Sequence, residues 1–234
     1  MKIVLVIPTY NEAGNLTRLI EAIRQQSREL DILIVDDNSP DGTGQLADRA
    51  AAENSFVHVL HRPAKKGLGQ AYQAGFRWAL DKGYDAMMQM DADLSHDPAA
   101  IPRFLEKIQE YDAVFGSRYL KGVRVYNWSF KRLLLSKVSN EFIRFLLDID
   151  STDTTTAYKC FRREVLEAVH FEKFQGHMNA FLIELVWATI QKGFKTVEIP
   201  FVFIERESGE SKMEWRVALE SLWTTIRLLF SKPS

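Results

Sequence analysis

The sequence predicts an α/β fold: a mainly parallel sheet flanked by helices on both faces. Three observations carry that reading. Short, continuous apolar runs recur through residues 1–120, separated by stretches whose apolar residues keep helical spacing. The runs lack the alternation of a strand with one wet face, so they fit strands buried on both faces. Polar, turn-forming clusters fall at the carboxyl ends of these runs, which is where open α/β sheets bind ligands.

The elements follow in order. Residues 3–7, Ile-Val-Leu-Val-Ile, read as the first strand, and Leu16, Leu19, Ile20 and Ile23 mark a helix. Residues 32–35 form a second strand, ended by the turn signal Asp36-Asp37-Asn38-Ser39-Pro40-Asp41-Gly42. A helix over 45–53 and a strand over 56–60 come next. Leu68, Ala71, Tyr72, Gly75, Phe76 and Ala79 again keep helical spacing. Residues 86–90 make a fourth strand that ends at Asp91-Ala92-Asp93. Asp97-Pro98 reads as a helix cap and first turn, continued by Ile101, Phe104, Leu105 and Ile108, before a short strand at 112–115.

The remainder is less regular. Residues 121–144 carry Lys121, Arg124, Lys131, Arg132, Lys137 and Arg144 against one acid, Glu141, with Trp128, Phe130 and Leu133 to Leu135 between them. Val197, Ile199, Phe201 and Phe203 alternate as in a half-buried strand. Trp215, Leu219, Leu222, Trp223, Ile226, Leu229 and Phe230 form one stripe of a last helix, opposite Arg216, Glu220, Thr224, Arg227 and Ser231. That stripe is expected to pack on the core, with a membrane-facing role as the alternative.

Composition narrows the function. The chain has 234 residues, 46% hydrophobic and 26% charged, which suits one globular domain over 1–234 and excludes a disordered chain. Cys160 stands alone, so no intramolecular disulfide forms and a reducing compartment is expected. A net charge of −1 argues against a nucleic-acid partner. No apolar run reaches the ~18 residues of a membrane span. There is no GxxxxGK[ST], no GxGxxG after the first strand and no GxSxG, which excludes a P-loop NTPase and speaks against a dehydrogenase or a serine hydrolase. The five histidines show no zinc spacing, and only His96 lies beside an acidic pair.

Asp91 and Asp93 are the strongest chemical signal. Two carboxylates one residue apart at the end of a buried strand can both reach a hard divalent cation, Mg²⁺ or Mn²⁺, which completes its shell with water and phosphate oxygens.

Six motifs in order complete the picture: Pro8-Thr9-Tyr10-Asn11-Glu12, Val35-Asp36-Asp37, Lys66-Gly67-Leu68-Gly69, Asp91-Ala92-Asp93-Leu94-Ser95-His96, Gly116-Ser117-Arg118-Tyr119 and Gly209-Glu210-Ser211-Lys212. In that order, from residue 2 to about 212, the chain resembles the inverting GT-A glycosyltransferases of family 2, and among them the polyprenyl-phosphate (dolichol-phosphate) mannosyltransferases. The resemblance implies a GT-A fold, with a nucleotide-sugar half over 1–120 and an acceptor half over 121–234. It implies that Pro8, Tyr10, Glu12, Val35 and Asp37 hold the base and ribose of the donor. It implies that Asp91, Ala92 and Asp93 hold the metal and the diphosphate. Arg118 would sit by the phosphates, Arg132 would meet the acceptor phosphate, and Arg206 and Lys212 would clamp the donor.

The reaction so implied moves mannose from GDP-mannose to a polyprenyl phosphate. UDP-glucose as donor, a polysaccharide acceptor, and a non-catalytic nucleotide-sugar sensor are the rival readings. Relatives often carry a glycine in the turn that here reads Asp153-Thr154-Thr155-Thr156-Ala157-Tyr158. Many also carry C-terminal membrane helices. This chain is therefore expected at the cytoplasmic face of a membrane, held peripherally or through an anchoring partner subunit.

Overall fold

The computed structural model describes residues 1–176, 178–205 and 215–231. Along the chain run β1 (Ile3–Thr9), α1 (Leu16–Gln26), β2 (Asp31–Asp36), α2 (Thr43–Glu53), β3 (Val57–His61), α3 (Leu68–Asp81), β4 (Ala86–Gln89), α4 (Ile101–Lys107) and β5 (Ala113–Ser117). Then come β6 (Val125–Tyr126), α5 (Phe130–Leu147), β7 (Lys159–Arg162), α6 (Arg163–Val169), α7 (Asn179–Gln191), β8 (Thr196–Pro200), β9 (Phe203–Ile204) and α8 (Trp215–Leu229).

Seven strands form one sheet in the order β3-β2-β1-β4-β7-β5-β8. The first four are parallel, and β8 is parallel to β5. Only β7 runs against its neighbours, between β4 and β5. The strand order reverses between β1 and β4, which opens a crevice at their carboxyl ends. β6 and β9 pair in a separate short ribbon.

The apolar runs are continuous because each strand feeds two cores. Val4, Val6, Leu33 and Val35 pack toward α3 and α7, while Leu5, Ile7, Ile32 and Ile34 pack toward α1 and α4. Gly75 lets α3 lie directly on β1: a Cβ there would stand 2.4 Å from Val6 Cγ1.

The expected α/β architecture holds, and four details differ. Residues 197–203 do not form one strand. β8 ends at Pro200, and the chain resumes pairing only at Phe203, in the other sheet. β7 was not evident, because Lys159-Cys160-Phe161-Arg162 has charges at both ends and no alternation. α7 gave no stripe because ten of its thirteen residues are buried, and a helix that is apolar all round has no amphipathic signature.

The fourth difference is the largest. α8 faces the opposite way from the expected core stripe. Thr224, Thr225 and Leu228 are buried, whereas Leu219, Leu222, Trp223, Ile226, Leu229 and Phe230 are exposed. The physical cause is Glu184 of α7, which is buried and takes its cation from Arg227 of α8. Arg227 also donates to Gln175 at 3.2 Å. A buried carboxylate without a partner costs several kcal/mol (~3–5), so turning this face of the helix outward would strand Glu184.

Candidate active site

At the carboxyl ends of β1 and β2 the following loops are stitched together. Asp36 is buried and accepts from Thr9 Oγ1 at 3.2 Å and from Ser39 Oγ at 2.6 Å. Ser39 Oγ receives the Asn11 amide at 3.1 Å, Thr43 Oγ1 receives the Glu12 amide at 2.9 Å, and Asp41 receives the Ala13 amide at 3.1 Å. Asn11 and Asn38 stand at φ 61° and 59°, a left-handed turn that asparagine tolerates. The first acid of the pair is thus structural.

The second acid, Asp37, pairs with Arg62 at 2.5 Å. Burial pushes its carboxyl above the ordinary range, and the Arg62 guanidinium partly offsets that. Nothing in the sequence marked Arg62, because β3 delivers it from 25 residues away. Tyr10 offers an exposed ring with Lys65 Nζ 4.0 Å from its centroid. Glu12 accepts from Asn15 Nδ2 at 2.8 Å. Pro8 closes the same strand end, half-buried. The side chain of Val35 lies wholly in the core, so its backbone is what remains to meet a ligand.

Beyond β4, the turn 91–96 presents the two carboxylates. Leu94 adopts φ 61°, which folds the chain back so that Ser95 N–H reaches Asp93 Oδ1 at 3.1 Å. Buried Tyr72 donates to Asp91 Oδ1 at 3.3 Å. Burial and the Asp91 charge push the phenol pKa far up, so it stays a donor. Ala92 is buried beneath the pair. His96 accepts the Asp91 backbone N–H at Nδ1, 3.1 Å away, so its proton sits on Nε2 and points to Thr156 Oγ1, also 3.1 Å away. Burial drives its pKa down to about 3. His96 is a neutral prop with both nitrogens engaged, not a base.

On the other side of the crevice, residues 151–156 form a hub. Glu198 of β8 accepts from Ser151 Oγ at 2.9 Å and from Thr152 N and Oγ1 at 2.7 Å each. Asn140 of α5 accepts from Thr154 N at 2.8 Å. Lys159 is fully buried and donates to the carbonyl of Thr156 at 2.7 Å, with burial lowering its pKa to about 8. None of residues 151–158 has a positive φ, so this turn needs no glycine.

Arg118 belongs to the same hub. It is 6% exposed and forms a fork on Asp153, with Nε and Nη2 each 2.7 Å from a carboxylate oxygen, and Nη2 also reaches Thr155 Oγ1 at 2.9 Å. Burial opposes both charges, yet each partner overrides it: Asp153 holds Arg118 above its ordinary pKa and Arg118 holds Asp153 below its own. Arg118 therefore reaches the site with its fork already engaged. Arg132, in the first turn of α5, pairs with Glu205 and stacks on Trp128 at 4.1 Å. Arg206 and Lys212 lie outside the described residues.

Of two cavities, the smaller bears on the site. A cleft of about 810 Å³ lies between α1 and α2, but no residue of the acidic turns lines it, so size alone misleads here. A smaller crevice of about 220 Å³ lies between α5 and α8, walled by Leu135, Phe142, Ile143 and Leu222, with Asn140 and Thr155 of the hub also lining it. It joins the exposed apolar faces of α5 and α8 to the ring of groups around Arg118.

Comparison with known proteins adds sequence and fold relatives. The model of glycosyl transferase family 2 matches residues 4–169. An undecaprenyl-phosphate mannosyltransferase of Micrococcus luteus is 41% identical over 97% of this chain and 93% of its own length. A polyprenol monophosphomannose synthase of Mycolicibacterium smegmatis is 46% identical over 89% of this chain and 80% of its own. A dolichol-phosphate mannosyltransferase of Pyrococcus furiosus is 36% identical over 98% of this chain, which spans 64% of that relative. Among solved structures, glucosyl-3-phosphoglycerate synthase of Mycobacterium tuberculosis, crystallised with Mn²⁺ and UDP, superposes with a TM-score of 0.68 at 15% identity, over 100% of this chain and 81% of that one. A mannosyltransferase of Pyrobaculum calidifontis in complex with GDP-mannose and Mn²⁺ gives 0.63 at 18% identity, over 97% of this chain and 64% of that one. Both share the fold.

Proposed function

This chain belongs to glycosyltransferase family 2, and on that premise we propose that it transfers mannose from GDP-mannose to the phosphate of a polyprenyl phosphate, inverting the anomeric centre. The observation that carries the reading is its 41% and 46% identity, over nearly the whole chain, to two bacterial enzymes named for mannose transfer to polyprenyl phosphates.

The geometry supports the chemistry. A phosphate monoester is already anionic near neutral pH, so its oxygen attacks the anomeric carbon without a base. The carbon–oxygen bond to the diphosphate breaks as the new one forms, and the nucleoside diphosphate leaves with the electron pair. A reaction of this kind asks for positioning and charge rather than proton transfer. The site answers in kind: His96 has both nitrogens engaged, and the Asp91 side chain is one-third exposed at the strand end.

Asp91 and Asp93 fit a divalent cation, Mg²⁺ or Mn²⁺. They are hard oxygen donors at a strand end, and the Asp91 side chain is one-third exposed. When bound there, such an ion supplies charge to the leaving diphosphate. Asp37 and Tyr10 would take the base and ribose. Arg118 with Asp153 would form a fixed wall beside the phosphates, and Arg132 would meet the acceptor. Arg206 and Lys212 remain proposed donor contacts on motif alone.

A donor panel tests the reading. GDP-mannose, UDP-glucose and UDP-GlcNAc are offered with a polyprenyl phosphate and Mg²⁺ or Mn²⁺. Turnover with GDP-mannose alone is expected. Turnover only with a uridine donor would sink the sugar assignment, and none with any donor would return the nucleotide-sugar sensor.

The apolar tail of the acceptor requires a lipid-facing surface near Arg132. Among the described residues no helix is long and apolar enough to cross a membrane. Yet α5 exposes Phe130, Leu134, Leu135, Val138, Phe142 and Phe145, α8 beside it exposes Trp223, and Phe230 is exposed just past the end of α8. Lys121, Arg124, Lys131 and Lys137 are exposed in the same region. Apolar faces bordered by cations suit an anionic bilayer, each cation contributing roughly 1 kcal/mol. We expect the protein to float with anionic liposomes at low salt. Phe145→Asp or paired Lys131→Glu and Lys137→Glu should reduce the floated fraction several-fold. Full retention of the wild-type protein in the soluble fraction would defeat docking by this chain alone and leave an anchoring partner subunit.

A further inference from the structure

Two arginines share the ring of Trp128, and their hydrogen-bonding states are opposite. Arg118 Cζ lies 5.4 Å from the ring centroid and Arg132 Cζ lies 4.1 Å from it. Arg118 has both Nε and Nη2 committed to Asp153. The Arg132 guanidinium donates from Nη1 to Glu205 Oε1. Its Nε is shielded from solvent and has no hydrogen-bond partner among the described residues. The indole Nε1 of Trp128 is in the same condition. A shielded donor without an acceptor costs energy that a native site recovers when its acceptor arrives. Two such donors sit on side chains that stack on each other, and the described residues supply an acceptor to neither.

We infer that Trp128 Nε1–H and Arg132 Nε–H form a two-donor seat for the acceptor phosphate, and that Glu205 is the carboxylate that neutralises Arg132 until that phosphate arrives. This rests on the proposed acceptor role of Arg132. Three further observations agree. Nη1 and Nε lie on different parts of the fork, so Glu205 leaves one edge of Arg132 uncommitted. Glu205 is held at the end of β9 by its own N–H, 3.3 Å from the Tyr126 carbonyl, so it stays close when its carboxylate is displaced. A doubly charged phosphate outcompetes a carboxylate for the same guanidinium. Phe203, edge-on to Trp128 at 5.4 Å, fixes the plane of the ring and hence the direction of its N–H.

Steady-state kinetics with a short-chain, water-soluble prenyl phosphate test this without a membrane. Trp128→Phe keeps an aromatic ring and removes only the N–H. It is expected to raise the acceptor KM about tenfold while leaving the donor KM unchanged. Glu205→Gln removes the competing charge and is expected to lower the acceptor KM about three- to tenfold. An unchanged acceptor KM in Trp128→Phe, or a raised one in Glu205→Gln, overturns the seat. Arg132→Gln separates the premise from the inference. If its acceptor KM is unchanged, the acceptor role of Arg132 has failed. If that KM rises while the Trp128 and Glu205 variants stay silent, only the seat has failed. Melting temperatures check folding, and Glu205→Gln, at a partly exposed site, keeps the question open to test should the ring exchange unfold the protein.

Discussion

Asp93→Ala is expected to lower kcat by about 10³-fold or more while leaving the melting temperature almost unchanged. The residue sits at the crevice end of β4, where the leaving diphosphate would build up charge. Removing its carboxylate withdraws half of the only closely spaced pair of acids on that turn. The structural cost is small, because the residue sits in a partly exposed turn and its hydrogen bond from Ser95 N–H is worth about 1 kcal/mol. Turnover and thermal melts on the same preparation separate the two effects. Undiminished kcat in the variant would overturn the placing of the diphosphate at this turn.

Asp153→Asn is expected to act mainly on stability. Asp153 is fully buried and neutralises Arg118, itself 6% exposed. The amide keeps the shape but leaves a buried cation, at a cost of about 3–5 kcal/mol and a fall in Tm of roughly 10 °C. The pH dependence has a definite sign. Burial opposes ionisation of Asp153, but Arg118 wins and holds the carboxyl below its ordinary value of 3.8. Its contribution is therefore complete above pH 3.8 and is lost as pH falls toward the depressed folded value. The gap between wild type and Asp153→Asn should stay flat from neutral pH down to about 5 and narrow below 3.8. A gap that is negligible at pH 7 would mean that Arg118 finds another partner.

The sequence was legible where chemistry and burial coincide along a short stretch. Residues 3–7 and 32–35 are apolar at every position because both faces of their strands meet a core. Asp91 and Asp93 are recognisable because the strand before them is wholly buried. What stayed hidden depends on partners far away in the chain. Asp153 looked like one polar residue in a polar turn, and its importance comes from Arg118, 35 positions earlier. Arg62 became a site residue only through β3, and Trp128 only through its stack on Arg132. α8 shows the limit of periodicity most clearly. Its apolar stripe is real, but periodicity says only that a helix has two faces. The face that turns inward is the one that carries Arg227 to the buried Glu184, a partner far away in the chain.

The position of β7 has a consequence for synthesis. β4 and β5 are successive strands, yet they never touch, because β7 lies between them. About seventy residues separate Gln89, where β4 ends, from Lys159, where β7 begins. At ~5–20 residues per second, a nascent chain leaves the edge of β4 bare for several seconds. That edge is the backbone directly beneath Asp91, and a bare apolar strand edge invites pairing with other chains. The two acids thus rest on a seam that stays open until β7 is made, with only β8 still to join the sheet, beyond β5, and during that interval the turn 91–96 has no neighbouring strand on one side.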